Sequence, residues 1–410
     1  MNVLVVGKGG REHAIGWKLK QNPDITLYFA PGNAGTAEIG ENVKIDVKDI
    51  DKLAEFAQTR HIDLTIVGPE LPLTMGITDV FKKRGLRIFG PDVLGAMLEG
   101  SKTFAKEFMG RHGIPTAKYV VATSVRQGLS AAKMLSYPAV IKEDGLAAGK
   151  GVTICQNKAE AKATLKKIFD TSSGSTCNKV VVEECLVGKE ISLLCFTDGE
   201  TIVPMETASD YKRALDNDMG LNTGGMGSIS PSPYYKDGMC SEIVEKTFNG
   251  IKAEGFDYRG VIYIGMIVTN EGAKVLEYNV RFGDPEIEAI LPRLESDLLE
   301  VVNAVVDKRL AECKLKWCEK HAISVVMASE GYPNTYNIGY KISIPETNSI
   351  VFHAGTALQD GKVVTSGGRV LSLTALGADF EEARKIVYAD IEKIEFQGSN
   401  FRRDIGIVKK

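Results

Sequence analysis

Val3-Leu4-Val5-Val6-Gly7-Lys8-Gly9-Gly10-Arg11-Glu12 is the run whose reading decides the fold. Four apolar residues end on a glycine loop, and the loop opens a helix over roughly 12–20. The scheme recurs. A second strand ends at Ala30-Pro31-Gly32, Asp63–Val67 ends at Gly68-Pro69-Glu70, and Leu86–Phe89 ends before Gly90-Pro91. Short, wholly apolar strands whose C-terminal ends carry Gly and Pro loops indicate a doubly wound parallel sheet covered on both faces. Ligands of such sheets sit at those C-terminal ends. The loops Gly7–Arg11, Pro31–Thr36 and Gly68–Leu73 are therefore expected to form one pocket.

Beyond the first hundred residues the style changes. Ser101 is a helix N-cap candidate for a helix over Lys102–His112 that stops at Gly113. Strand-like pieces then follow at Pro138–Lys142, Gly151–Cys155, Lys179–Glu184, Ile191–Thr197, Thr201–Glu206, Val261–Thr269 and Ala273–Val280. So many strands with few helices between them read as an α+β region with antiparallel sheet. A helix follows Asp297, and a β-rich section begins near Ala322. The chain has 410 residues, 50 Lys+Arg against 53 Asp+Glu and a formal charge of −3, so no basic excess points to nucleic acid or a membrane surface. Apolar runs are strand-sized, and no secretory leader or membrane span is expected. Seven cysteines without a C-x-x-C pair suit a reducing, cytoplasmic setting and not a zinc site.

Four stretches carry chemistry. The first glycine loop suits an anionic phosphate at a helix start. It is not a dinucleotide fingerprint, because Glu12 stands at the third glycine and Ala30 where the ribose-binding acid belongs. Pro31-Gly32-Asn33-Ala34-Gly35-Thr36 is a second small-residue loop on the same rim, which favours a phosphorylated small molecule. Ile141-Lys142-Glu143-Asp144-Gly145-Leu146-Ala147-Ala148-Gly149-Lys150-Gly151-Val152 can fold closely over phosphates through Gly145, Gly149 and Gly151, with Lys142 and Lys150 offsetting charge; Gly151 stands where a P-loop has Ser or Thr. In Val275–Arg281, alternation puts Glu277, Asn279 and Arg281 on one face and Leu276, Tyr278 and Val280 on the other. A carboxylate and an amide oxygen two residues apart suit Mg²⁺, and Arg281 adds a fork for a carboxylate or phosphoryl group. Asp210-Tyr211-Lys212-Arg213 and Asn222-Thr223-Gly224-Gly225-Met226-Gly227, taken alone, read as surface loops, and His13 as a helix-start residue.

The motifs together resemble one family. Gly9-Gly10-Arg11-Glu12-His13, Pro31–Thr36, Gly68-Pro69-Glu70, Leu98-Glu99-Gly100-Ser101-Lys102, Asp144–Gly151, Asn222–Gly227 and Arg281-Phe282-Gly283-Asp284-Pro285-Glu286 are similar, in order and spacing, to those of the phosphoribosylamine–glycine ligases of the ATP-grasp superfamily. The resemblance implies an N-terminal substrate domain over 1–100, an ATP-grasp core over 101–320 with a mobile lid at 113–190, and a small β-rich domain over 321–410. It implies the reaction of ATP, glycine and 5-phosphoribosylamine to glycinamide ribonucleotide, ADP and phosphate, in a cytoplasmic monomer. By position, Lys102 and Lys142 would meet ATP phosphates, Glu184–Leu186 would hold adenine by backbone, and Glu190 the ribose. Glu277 and Asn279 would ligate Mg²⁺ or Mn²⁺. Gly9, Gly10, Gly32, Asn33, Ala34, Gly35 and Thr36 would hold the phosphoribosyl group, with Glu70 at its ribose. Asp210, Lys212 and Arg281 would form the glycine site. Lys8, Glu143 and the Ser209/Tyr211 pair around Asp210 depart from the usual pattern. A bicarbonate-activating carboxylase, a dinucleotide-dependent oxidoreductase and a non-catalytic nucleotide sensor are the competing readings.

Overall fold

The computed structural model describes residues 1–146, 151–170 and 177–408; Gly149 and Lys150 lie outside them. Strands β1 (Asn2–Gly7), β2 (Thr26–Pro31), β3 (Glu41–Asn42), β4 (Leu64–Val67) and β5 (Ile88–Phe89) form a parallel sheet in the order β3-β2-β1-β4-β5. The order reverses between β1 and β4, so the crevice at their C-terminal ends is where such a sheet binds its ligand. Seven helices accompany this part: α1 (Gly10–Leu19), α2 (Thr36–Ile39), α3 (Ile50–Thr59), α4 (Glu70–Thr74), α5 (Ile77–Lys83), α6 (Val93–Gly100) and α7 (Lys102–Arg111). Ser101 caps α7 as expected, its hydroxyl accepting from the Phe104 N–H; such a cap contributes about 1 kcal/mol.

β1 explains why this sheet does not stand apart. Val3 and Val5 enter one apolar cluster and Leu4 and Val6 another, because strand side chains alternate between faces. The first cluster continues into Leu194, Phe196, Val261 and Phe282, and the second into Ile191, Leu193, Ile262 and Ile264. The N-terminal sheet therefore shares both of its cores with the centre of the molecule.

β6 (Tyr119–Ala122), α8 (Val125–Leu135), β7 (Ala139–Glu143), β8 (Val152–Cys155), α9 (Lys158–Ile168) and β9 (Val180–Glu184) make a subdomain with the antiparallel order β6-β9-β7-β8. It has its own cluster, including Ile141, Cys155, Leu165 and Val182. The chain continues through β10 (Lys189–Thr197), β11 (Ile202–Pro204), β12 (Ser209–Asp210), the hairpin of β13 (Arg213–Leu215) and β14 (Met219–Asn222), and β15 (Gly227–Ser230). Then come α10 (Ser241–Ala253), β16 (Gly260–Thr269) and β17 (Gly272–Asn279), and the central sheet has the order β11-β10-β16-β17.

The last part comprises α11 (Glu286–Ile290), α12 (Leu298–Val306), β18 (His321–Ser329), β19 (Ile350–His353), β20 (Thr356–Gln359), β21 (Lys362–Thr365), β22 (Arg369–Gly377), α13 (Phe380–Ile391) and β23 (Ser399–Asn400). Its sheet runs β12-β15-β18-β22-β19, with β23 beside β18. Two of its strands thus come from before residue 231, and the sheet is built across the boundary placed near 321. Among the described residues no helix is long and apolar enough to cross a membrane.

His13 is not a plain helix-start residue. Its Nδ1 accepts the His353 backbone N–H at 2.8 Å, and the two rings meet edge-on at 5.5 Å. Asn33 Nδ2 donates to His353 O at 2.7 Å, so β19 is fastened to the first two loops. Burial, aided by His353, pushes the His13 imidazole down to about 3, and burial takes His353 to about 4. Both rings stay neutral in the folded chain, whereas the unfolded chain protonates them near the ordinary 6.5. The unfolded state therefore binds the extra protons below about pH 6.5, and stability falls with acidification by up to about 1.4 kcal/mol per pH unit for each ring. His13→Asn, which keeps an acceptor near Nδ1, should flatten the fall in melting temperature between about pH 7 and about pH 5. An unaltered slope would contradict the pair's role.

Candidate active site

Glu277, Asn279 and Arg281 do lie along one edge, but the alternation begins only at Glu277. β17 pairs Glu277 with Gly265 and Val275 with Met266, so Leu276 is an extra residue in a β-bulge and leaves the apolar face. The bulge turns the Leu276 carbonyl to Lys142 Nζ, which donates to it at 3.0 Å. Arg281 stands between carboxylates. Nη2 donates to Glu99 Oε1 at 2.8 Å and to Asn279 Oδ1 at 3.3 Å, Nη1 donates to Phe282 O at 3.1 Å, and Nε lies 3.6 Å from Glu70 Oε2. Nε is buried without a hydrogen bond, so the guanidinium keeps donor capacity for an incoming anion. Burial alone would lower Arg281 and raise Glu70. The Arg281–Glu99 and Arg281–Glu70 pairings reverse both effects, holding Arg281 above its ordinary value and Glu70 below its own, the latter with help from Arg11. Glu99 is raised, because its burial outweighs Arg281.

The lysines reach this edge from β7 and from α7. Lys142 pairs with Glu183 Oε1 at 3.0 Å, and Lys106 meets the same oxygen at 3.3 Å. Lys102 Nζ donates to Gly145 O at 2.8 Å, where Gly145 has the positive φ of +98° that favours glycine. Asp144 accepts from Ser101 Oγ and the Thr103 N–H, each at 3.0 Å, and ties the segment after β7 to the start of α7. Burial lowers Lys102, opposed by Glu277, and takes Lys106 down to about 8, opposed by Glu183. Glu277 is held below the usual carboxylate range: its burial is overcome by Lys212, Lys142, Lys102 and Arg281. Gly151 O accepts the Glu143 N–H at 2.8 Å. Glu184 exchanges bonds with Lys118, its N–H donating to Lys118 O at 3.0 Å and its Oε1 accepting the Lys118 N–H at 2.9 Å. Leu186 lies in the segment joining β9 to β10.

Asp210-Tyr211-Lys212 and Asn222–Gly227 are no surface loops. Thr223, Met226 and Gly227 are buried, and the Thr223 N–H and Oγ1 both donate to Lys212 O, at 2.8 and 2.9 Å. Lys212 Nζ bridges Glu190 Oε2 (2.7 Å) and Asp210 Oδ2 (3.9 Å). Burial lifts Asp210 to about 7, with Lys212 opposing and Glu286 adding to the rise. Arg369, from β22, closes the far side: Nη1 donates to Gly224 O at 2.8 Å and pairs with Asp284 Oδ1 at 2.9 Å.

On the N-terminal rim, Glu12 fills the crevice where a dinucleotide would need space. Its Oε2 accepts the Gly9 N–H at 2.5 Å and its Oε1 pairs with Arg11 Nε at 2.6 Å. A Cβ on Gly68 would stand 2.0 Å from Glu12 Oε1, so a larger residue there would displace the buried Glu12 side chain. Asn33 staples its own loop. Oδ1 accepts the Gly35 and Thr36 N–H groups at 2.9 and 3.0 Å, and Thr36 Oγ1 accepts the Asn33 N–H at 2.7 Å. Gly32 has φ +72°, and Gly10 packs against Glu288. Glu99, Glu183 and Arg369 were not among the site residues expected from sequence. Glu99 sits inside a quoted motif, beside Ser101 and Lys102; nothing local singles out Glu183 or Arg369.

Glu277 and Asn279 offer two hard oxygens, and among the described residues no group of three or more His, Cys, Asp or Glu is placed to hold a metal. A divalent cation there would complete its shell with phosphate oxygens and water, as Mg²⁺ commonly does. A cation at Asn279 would replace the 3.3 Å contact from Arg281.

Models of the phosphoribosylglycinamide synthetase N domain, ATP-grasp (A) domain and C domain match residues 1–99, 100–287 and 322–408. The family model over the centre of the chain and the central antiparallel sheet make the molecule an ATP-grasp protein, an ATP-dependent ligase by class. The chain belongs to the phosphoribosylamine–glycine ligase family. The phosphoribosylamine–glycine ligase of Caldanaerobacter subterraneus subsp. tengcongensis is 49% identical over 417 residues, 99% of either chain. The structure of the Thermotoga maritima ligase superposes with a TM-score of 0.88 at 36% identity, covering 98% of this chain and all of that one. The biotin carboxylase domain of the Hydrogenobacter thermophilus 2-oxoglutarate carboxylase, solved with MgADP and bicarbonate, shares the fold at TM-score 0.77 and 15% identity, with 98% and 91% covered.

Glu99→Gln keeps the shape beside Arg281 and removes the charge that orients it. We expect kcat to fall about 10- to 100-fold, the usual range for losing an outer partner of a functional group, with little change in melting temperature. A wild-type kcat would show that Glu99 does not set the Arg281 fork.

Proposed function

We propose that this chain joins glycine to 5-phosphoribosylamine at the expense of ATP, through glycyl phosphate, as a step of purine synthesis. The observation that carries the reading is the 3.6 Å approach of Arg281 to Glu70, which brings the lysine and Glu277 edge against the N-terminal loops. One crevice thus serves a triphosphate and a phosphorylated sugar. Lys102, Lys142 and the Gly145 turn bind and screen the triphosphate, joined by Gly149, Lys150 and Gly151 of the lid loop. The Glu184–Leu186 backbone takes adenine and Glu190 the ribose. The rim of Gly9, Gly10, Gly32, Asn33, Ala34, Gly35 and Thr36 takes the sugar phosphate, with Glu70 at the ribose. Glu277 and Asn279 suit Mg²⁺, or Mn²⁺, which when bound neutralises phosphate charge.

Asp210 and Lys212 receive glycine as the zwitterion it is, and Arg281 orients its carboxylate. A carboxylate oxygen attacks the γ-phosphorus and ADP leaves. The phosphoribosylamine nitrogen then attacks the acyl carbon, the C–O bond to phosphate breaks, and the amine proton departs with the phosphate. Such chemistry needs alignment and charge offset more than a general base. The seven free cysteines support a reducing cytoplasm.

Phosphate release should require ATP, glycine and phosphoribosylamine together; equal release with bicarbonate in place of glycine would overturn the reading in favour of a carboxylase. The glycine carboxylate gives up charge as it attacks phosphorus, and its acyl oxygen gains charge when the amine adds to glycyl phosphate, so Arg281 acts mainly in the transition state of that second step. Arg281→Lys keeps the charge and loses the fork, and kcat should fall by about 10²–10³. A folded Arg281→Lys protein with wild-type kcat and glycine KM would refute that role.

A further inference from the structure

The glycine side of the crevice is fastened to a segment far away in the chain. Lys212 lies between Tyr211 and Arg213, and both neighbours face residues 402–406. The Tyr211 hydroxyl accepts the Gly406 N–H at 3.1 Å, and the Arg402 guanidinium carbon lies 5.1 Å over the Tyr211 ring. Arg402 grips Asp404 with Nε (2.8 Å) and Nη2 (2.7 Å), while Nη1 donates to Arg213 O and Asp218 Oδ1, both at 3.0 Å. Main-chain donors complete the latch: the Asn217 N–H reaches Asp404 Oδ2 at 2.8 Å, and the Arg403 N–H reaches Asp216 Oδ1 at 2.7 Å.

This arrangement has an odd economy of burial. Arg402 is 1% exposed, yet it supports a hairpin whose Leu215, Met219 and Leu221 are all more than half exposed. The hairpin has no core of its own, and its ladder is irregular between Arg213 and Leu215. Its geometry therefore depends on polar fastening. The carbonyl of residue 212 is held by Thr223 and the carbonyl of residue 213 by Arg402, so the peptide that carries the Lys212 side chain is framed from both sides. Tyr211 points away from the crevice into the C-terminal cluster, which is why a bulky aromatic is accommodated beside Asp210.

We propose that Arg402, acting through Tyr211 and Arg213, is a positioning residue that sets Lys212 and Asp210 for glycine. The proposal rests on the reading of Asp210 and Lys212 as the glycine pair. A guanidinium is needed for it: four hydrogen bonds leave in different directions, and one of the two carboxylates is held by both Nε and Nη2, which an ammonium cannot reproduce.

The test compares Arg402→Gln, Arg402→Lys and Tyr211→Phe with Asp210→Asn, by steady-state kinetics and by amide hydrogen exchange over Arg213–Asn222. Arg402→Gln should raise glycine KM about 10- to 100-fold while ATP KM stays within about twofold, a split that general loosening would not give. Arg402→Lys should fail to rescue, and Tyr211→Phe, the variant least able to harm folding, should shift glycine KM in the same direction by less. Hairpin amides should exchange faster in the Arg402 variants. Wild-type glycine KM in Arg402→Gln and Tyr211→Phe, or equal rises in the KM for glycine and ATP, would overturn the proposal. If Asp210→Asn leaves glycine KM unchanged, the glycine reading of the site fails and this role of Arg402 falls with it. Exchange then separates the two failures: faster hairpin exchange in Arg402→Gln keeps the latch itself, and wild-type exchange removes that too.

Discussion

One guanidinium between two carboxylates holds the catalytic face together. Arg281, two residues past β17, meets Glu99 from the end of α6 and Glu70 from the first turn of α4. Taking each of these ions out of water costs several kcal/mol, whereas a pair about 4 Å apart recovers on the order of 4 kcal/mol at an effective dielectric near 20. Against its burial, Arg281 is held charged by both acids together, Glu99 first and Glu70 second, and the two come from different helices. The end of α6 and the start of α4 are therefore held beside the end of β17.

The rest of the electrostatics follows from that constraint. Lys102, Lys142, Lys212 and Arg281 all act on Glu277 and keep it ionised despite burial. Those cations are shared with other acids, Lys142 with Glu183, Lys212 with Glu190 and Asp210, and Arg281 with Glu99 and Glu70, so Glu277 sits inside one connected network of charges. Glu183 prevents Lys106 and Lys142 from repelling one another out of place. On the opposite rim Glu12 serves the protein itself: bonded to Gly9 and Arg11, it occupies the space that a dinucleotide fold leaves open.

Much of this was legible in the sequence because it is local. The apolar run to Gly7, the Ser101 cap and the face shared by Glu277, Asn279 and Arg281 depend on neighbours within a few residues. What was not legible depends on distant partners. The bulge at Leu276 arises from the register of β17 on β16, and no pattern within Val275–Arg281 announces it. Asp210 and Thr223–Gly227 look like solvated loops until β12 and β15 join a sheet whose other strands begin at His321. Arg369 reaches Gly224 across 145 residues, and His353 reaches His13 across 340. The resemblance of the motifs named the chemistry; it did not supply these long-range supports, which fix where the side chains stand.

The central claim is that glycine's own carboxylate takes the phosphoryl group in the crevice that Arg281 shapes. It is tested most directly with glycine labelled with ¹⁸O in both carboxyl oxygens, turned over with ATP and phosphoribosylamine in unlabelled water. If glycyl phosphate forms, one labelled oxygen leaves with each inorganic phosphate and the other stays in the amide carbonyl, so phosphate should carry one ¹⁸O per turnover. Unlabelled phosphate, released at the same rate as product, would contradict the account.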